Sequence, residues 1–89
     1  MPTFNLLIKG KVQGVFYRAS ASEKANELGL GGWIKNRTGG DVEAVVTGSE
    51  EALQQFIHWC KKGPRWAKVS DVIVSSTQEI NFDRFQVVS

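Results

Sequence analysis

Two stretches of this sequence carry residue types suited to holding an anion. The first is Lys9-Gly10-Lys11-Val12-Gln13-Gly14-Val15-Phe16-Tyr17-Arg18. Glycines let the backbone curl so that consecutive N–H groups face one concavity, and such a nest beside a helix N-terminus attracts negative charge. Arg18 closes the stretch, and its planar guanidinium can make two parallel hydrogen bonds to phosphate oxygens. The second candidate is Asn36, which ends Gly32-Trp33-Ile34-Lys35-Asn36 just before a glycine-containing turn. A carboxamide takes no proton at neutral pH, so its chemistry is orientation.

Read alone, each stretch also describes something plainer. The first could be a glycine turn with a solvated arginine, the second a turn asparagine bonding its own backbone. The first is not a Walker loop, because Gly14 is followed by Val15-Phe16 rather than by lysine and a hydroxyl residue. Yet Val15, Phe16 and Tyr17 beside an arginine are oddly apolar for a plain surface turn.

Little else in the chain suggests catalysis. The only histidine, His58, reads as a structural or surface residue, and the only cysteine, Cys60, as a small core hydrophobe. One cysteine forms neither an intrachain disulfide nor a metal cluster. No histidine spacing or carboxylate cluster suits a metal ion, so no metal or other cofactor is expected. Trp33, Trp59 and Trp66 are accounted for by packing, and Lys9 and Lys11 are placed to steer anions.

The elements that must position these residues follow from periodicity. Phe4, Leu6 and Ile8 alternate in a strand over Phe4 to Lys9, followed by a loop from Gly10 to Tyr17. Arg18 to Leu28 favours helix, with Ala21, Ala25 and Leu28 on one face and Gly29 at its end. Gly32 to Asn36 and Asp41 to Thr47 read as a hairpin around Arg37-Thr38-Gly39-Gly40. A second helix starts at a Ser49 or Gly48 cap and stops at Gly63-Pro64. Its stripe is Leu53, Phe56, Ile57 and Cys60, with acids in its first turn and lysines in its last. Val69 to Val74 and Phe85 to Val88 complete the strands. The order βαββαβ, plus a short C-terminal strand, predicts an α+β, ferredoxin-like split βαβ sandwich. Its antiparallel sheet would carry both helices on one face.

The gross numbers agree with a small globular enzyme or binding domain. At 89 residues, the chain makes one domain, residues 1–89. It buries only about two-thirds of the surface of its unfolded form. Hydrophobic residues are 42% and charged residues 22%, and the net charge is +2. This falls short of a nucleic-acid footprint. An RNA-binding module on this scaffold would carry aromatics on its third strand. Here Asp41-Val42-Glu43-Ala44-Val45-Val46-Thr47 has none and has two acids. No secretory signal or membrane-length apolar run is present, so no membrane partner and a cytoplasmic location are expected.

Taken together, the motifs resemble those of the acylphosphatase family. Gly10-Lys11-Val12-Gln13-Gly14-Val15-Phe16-Tyr17-Arg18 is similar to its first signature, and Gly32 to Asn36 with Gly40, Val42 and Gly48 to its second. Cys60-Lys61-Lys62-Gly63-Pro64, with Ala67 and Val69, is similar as well, so the resemblance covers nearly the whole chain. It implies hydrolysis of acyl phosphates without a metal. Gln13, Gly14, Val15, Phe16, Tyr17 and Arg18 would hold the phosphate, Arg18 would pair with its oxygens, and Asn36 would aim the attacking water. Inorganic phosphate would then be product and competitive inhibitor, and a monomer is the default expectation. Two departures stand out: Gly39 where the family favours a polar residue, and Val88-Ser89 in place of a terminal aromatic. The first bears on hairpin stiffness and the second on how firmly the last strand is held. A non-catalytic binding domain that keeps the same loop is the competing reading, which the presence of both Arg18 and Asn36 disfavours.

Overall fold

Phe4, Leu6 and Ile8 recur at every second position, which in a strand sends them all to one face. The computed structural model describes residues 1–88 and builds this segment as β1 (Thr3–Lys11). Ser89, noted above as a departure, lies outside the described residues. β1 runs on through Gly10 and Lys11 because its pairing with β4 (Lys68–Thr77) resumes after an irregularity at Lys9/Gly10. A Cβ on Gly10 would collide with the Lys68 carbonyl, and its φ of +123° suits only glycine.

α1 (Tyr17–Glu27) buries Tyr17, Ala21 and Ala25, with Leu28 packed at the core's edge. Alanines on the buried face let this helix lie close to β2 (Gly31–Asn36) and β5 (Phe85–Val88). α2 (Glu50–Lys62) buries Leu53, Phe56, Ile57 and Cys60 and packs over β4. Of the two cap candidates it is Ser49 that serves, its Oγ accepting from the Ala52 N–H at 3.2 Å. β3 (Val42–Thr47) follows β2 in the expected hairpin, closed by Arg37 N–H to the Asp41 carbonyl at 2.8 Å.

The sheet order is β4-β1-β3-β2-β5. The sheet is mixed, not wholly antiparallel as expected: β5 pairs parallel with β2. The cause is the path between β4 and β5. After β4 the chain crosses the end of the sheet where β2 begins, so β5 must set out in the same direction as β2. Thr3 and Thr47 hold this crossing. Their buried hydroxyls lie 2.7 Å apart, Thr47 donates to the Ile80 carbonyl, and Thr3 accepts from the Ile80 N–H. The end of β5 is thereby delivered to the opposite rim, beside the start of α1.

The core fills the space between the sheet and the helices. Leu6, Ile8, Ile34, Val42, Ala44 and Val46 rise from the strands to meet Leu53, Phe56 and Cys60. Phe56 stacks on Trp59 and meets Phe85 edge-on, which ties the second helix to the last strand.

Candidate active site

The loop between β1 and α1 is anchored by its apolar side chains. Val12 and Val15 are buried in the core, so the backbone between them is drawn tight against the sheet rim. Gly14 has φ +74° and Phe16 φ +63°, two left-handed residues separated by Val15. Left-handed residues in such a turn swing successive N–H groups toward a common side.

Phe16 is also the N-cap of α1 and supplies no side-chain acceptor. The first intrahelical bond is Ser20 N–H to the Phe16 carbonyl, at 3.0 Å. The N–H groups of Tyr17, Arg18 and Ala19 therefore begin the helix without intrahelical partners, at the positive end of its dipole.

Tyr17 fastens this helix start. Its hydroxyl donates to the Cys60 carbonyl at 2.8 Å, inside the core, so the first turn of α1 is tied to the last turn of α2. Burial, then the neighbouring Cys60, pushes the Tyr17 phenol far above its ordinary range. Burial also pushes the Cys60 thiol up to about 12. Neither group is an acid, base or nucleophile at neutral pH.

Asn36 is the last residue of β2 and points to the helix side of the sheet, in register with the core residue Val42. Its Oδ1 is buried and has no hydrogen-bond partner among the described residues. An unmet buried acceptor costs about 1–3 kcal/mol, a cost that a ligand or water donor relieves. Asn36 and Arg18 line the same cavity, about 330 Å³, with Val12, Gly14, Phe16, Tyr17, Ala19 and Val87. The Arg18 Nη1 donates to the Val88 carbonyl at 3.1 Å, at an exposed position beside the cavity.

Of the residues singled out in the sequence, Gly14, Phe16, Tyr17, Arg18 and Asn36 meet on this cavity; Gln13 and Val15 do not line it. Gln13 turns its Nε2 to the hairpin, donating to the Arg37 and Asp41 carbonyls, both at 2.8 Å. It thus staples the loop to the turn that follows Asn36. Periodicity gave no sign of Val87, which reaches the cavity only because β5 runs alongside β2.

Acids near the cavity are engaged elsewhere. Lys9 pairs with Asp41 at 2.9 Å and Arg37 with Glu43 at 2.9 Å. Burial acts to raise the Glu43 pKa, but hydrogen bonds from Asn5 and Arg37 and the charges of Arg37 and Lys35 outweigh it. The carboxyl consequently sits below its ordinary 4.5. Among the described residues, no three histidine, cysteine or acidic side chains gather where they could hold a metal ion.

The sequence model of the acylphosphatase family matches residues 4–87. This chain belongs to the acylphosphatase family. An acylphosphatase from Thermus thermophilus is 48% identical over 87 residues, spanning 98% of this chain and 99% of that one. The crystal structure of acylphosphatase from Bacillus subtilis superposes with a TM-score of 0.96 at 36% identity, with both chains covered in full. An acylphosphatase from Coxiella burnetii gives a TM-score of 0.95 at 38% identity, covering 98% of this chain and 92% of its own. As a member of this family, the protein is a hydrolase of acyl phosphates, on a ferredoxin-like α+β fold.

Proposed function

We propose that the cavity between the Gln13–Arg18 loop and Asn36 is where the family's reaction takes place. The backbone N–H groups at the start of α1 cradle the phosphoryl oxygens, and the Arg18 guanidinium pairs with them. Asn36 orients the attacking water through its carboxamide. The carrying observation is the buried Oδ1 of Asn36, without a partner among the described residues, on the same cavity as Arg18 and an uncapped helix start.

The chemistry asks for little more. Phosphoryl transfer passes through a loose transition state with charge spread over the phosphoryl oxygens, so position and charge stabilisation dominate. The water oxygen forms a bond to phosphorus as the bond from phosphorus to the acyl oxygen breaks. The electron pair of that bond leaves with the carboxylate, a stable anion that needs no general acid. The water's proton passes to a phosphate oxygen or to solvent, since Asn36 cannot accept it. The products are a carboxylate and inorganic phosphate, and phosphate competes for the same cradle.

The reading takes residues 1–89 as one domain working as a monomer, without a metal, in the cytoplasm. The single cysteine, free and buried, fits the reducing compartment that this location implies. Hydrolysis of benzoyl phosphate in the presence of a chelator is the test. Sustained turnover with competitive inhibition by inorganic phosphate is expected. Loss of turnover on chelation would overturn the metal-free mechanism, and inhibition by phosphate that is not competitive would overturn the shared cradle.

A further inference from the structure

We infer that the Phe16 side chain is a platform for the acyl group, selecting acyl phosphates whose acyl part is apolar and flat. This rests on the phosphate cradle proposed above and adds the part of the substrate that the cradle does not touch.

Phe16 is out of place by every other criterion. It has φ +63° and ψ +22°, a conformation in which its Cβ is crowded and which glycine or asparagine adopts more readily. It is the helix N-cap but offers no capping acceptor, where serine, aspartate or asparagine would. The residue is 76% exposed, so the core does not hold it there. Backbone strain of this kind persists where the surroundings demand it, and it clusters at functional sites.

Its position supplies the use. Phe16 lines the cavity together with Val87, itself 47% exposed, so two solvent-facing apolar side chains flank one opening. Asn36 lies at the buried side of the same cavity. In-line displacement sets the leaving group opposite the incoming water. With water aimed from the buried Asn36 side, the acyl group is directed outward, to the rim where Phe16 and Val87 stand. An exposed phenyl ring offers area and a π face to an aromatic acyl group and almost nothing to a methyl. Acetyl and carbamoyl phosphate would therefore be served by the cradle alone.

The experiment compares kcat/KM for benzoyl phosphate and acetyl phosphate, as a ratio, alongside the inhibition constant of inorganic phosphate. Phe16→Asn keeps a residue tolerant of the left-handed conformation, and Phe16→Tyr keeps the ring. The ratio is expected to fall about tenfold in Phe16→Asn, the scale of losing an apolar contact in a pocket. It is expected to hold in Phe16→Tyr, and the phosphate constant should move much less than the ratio. Val87→Ser, on a different element, should lower the same ratio by thinning the same wall. An unchanged ratio in both Phe16→Asn and Val87→Ser would overturn the platform. So would an equal loss on both substrates accompanied by weakened phosphate inhibition, which would mark Phe16 as a backbone element of the cradle only. Wild-type protein inert on both substrates would bring down the parent reading, and this inference with it.

Discussion

Half-buried Arg18 meets the Val88 carbonyl at 3.1 Å in a solvent-exposed hydrogen bond, a contact worth little in water and readily exchanged for a phosphate. Its planar fork is what a lysine lacks. Arg18→Ala is expected to lower kcat/KM by a factor equivalent to about 3–4 kcal/mol, the scale of removing one transition-state donor. Arg18→Lys should recover little of it, because a point charge cannot make the paired contact. Steady-state kinetics on benzoyl phosphate decide this, and near-normal turnover in Arg18→Ala would remove the arginine from the mechanism. Asn36 makes the opposite kind of contribution. Asn36→Ala should lower kcat while leaving the inhibition constant of inorganic phosphate nearly as it was, since water and not phosphate is its partner. The same substitution removes a buried acceptor that no described residue satisfies, so thermal stability should hold or rise slightly. A collapse of phosphate binding would recast Asn36 as part of the cradle.

At the scale of elements, the site depends on two ties between segments distant in sequence. Tyr17 joins the first turn of α1 to the last turn of α2, and Gln13 joins the loop to the β2–β3 hairpin. The second tie sets the distance between the two halves of the proposed site, because Arg37 and Asp41 bracket the turn that begins beside Asn36. Gln13→Ala removes two hydrogen bonds to hairpin carbonyls. It should reduce kcat about tenfold or more, with a smaller change in phosphate inhibition, because a shift of about 1 Å in a positioning group is costly. An unchanged kcat would show that Val12 and Val15 alone hold the loop to the hairpin. The elements themselves were unequally legible. α2 announced itself through its Ser49 cap, its charged ends and a clean apolar stripe. The sequence pattern starts α1 one residue late, at Arg18, because Phe16 adopts the left-handed capping conformation and lets the helix begin at Tyr17. No periodicity signals a left-handed phenylalanine.

Over the whole molecule, charge is sorted along one axis. The ends of β1, β2 and α2 and the starts of α1 and β4 all lie at the cavity end, and every lysine and arginine except Lys24 and Arg84 falls there. Asp41 and Glu43, at the same end, are already in ion pairs, and Asp71, in register with Lys9, adds one further acid there. Glu50, Glu51, Glu79 and Asp83 lie at the far end, on the start of α2 and the crossing to β5. A net charge of only +2 thus conceals a strongly polarised particle about 30 Å long. Such a field draws small anions to the cavity. Raising ionic strength from about 0.01 M to about 0.1 M shortens the screening length from about 30 Å to about 10 Å. Over that range kcat/KM for an anionic acyl phosphate should fall several-fold while kcat stays level. A flat kcat/KM would mean that encounter gains nothing from the field.

Local patterning was enough to reveal the layered α+β architecture, the hairpin, both helices and the two segments that carry Arg18 and Asn36. These follow from side-chain period, capping and turn chemistry, all of which act within a few residues. Tertiary structure decided what depends on the path of the chain through space. The crossing at the end of the sheet fixes β5 parallel to β2 and so brings Val87 to the cavity. The Gln13 carboxamide, a plausible anion donor on paper, is taken by carbonyls more than twenty residues away. The buried oxygen of Asn36 and the exposed ring of Phe16 likewise owe their settings to neighbours from other elements. Burial and long-range hydrogen bonding are set by packing, and packing is not written in any one segment.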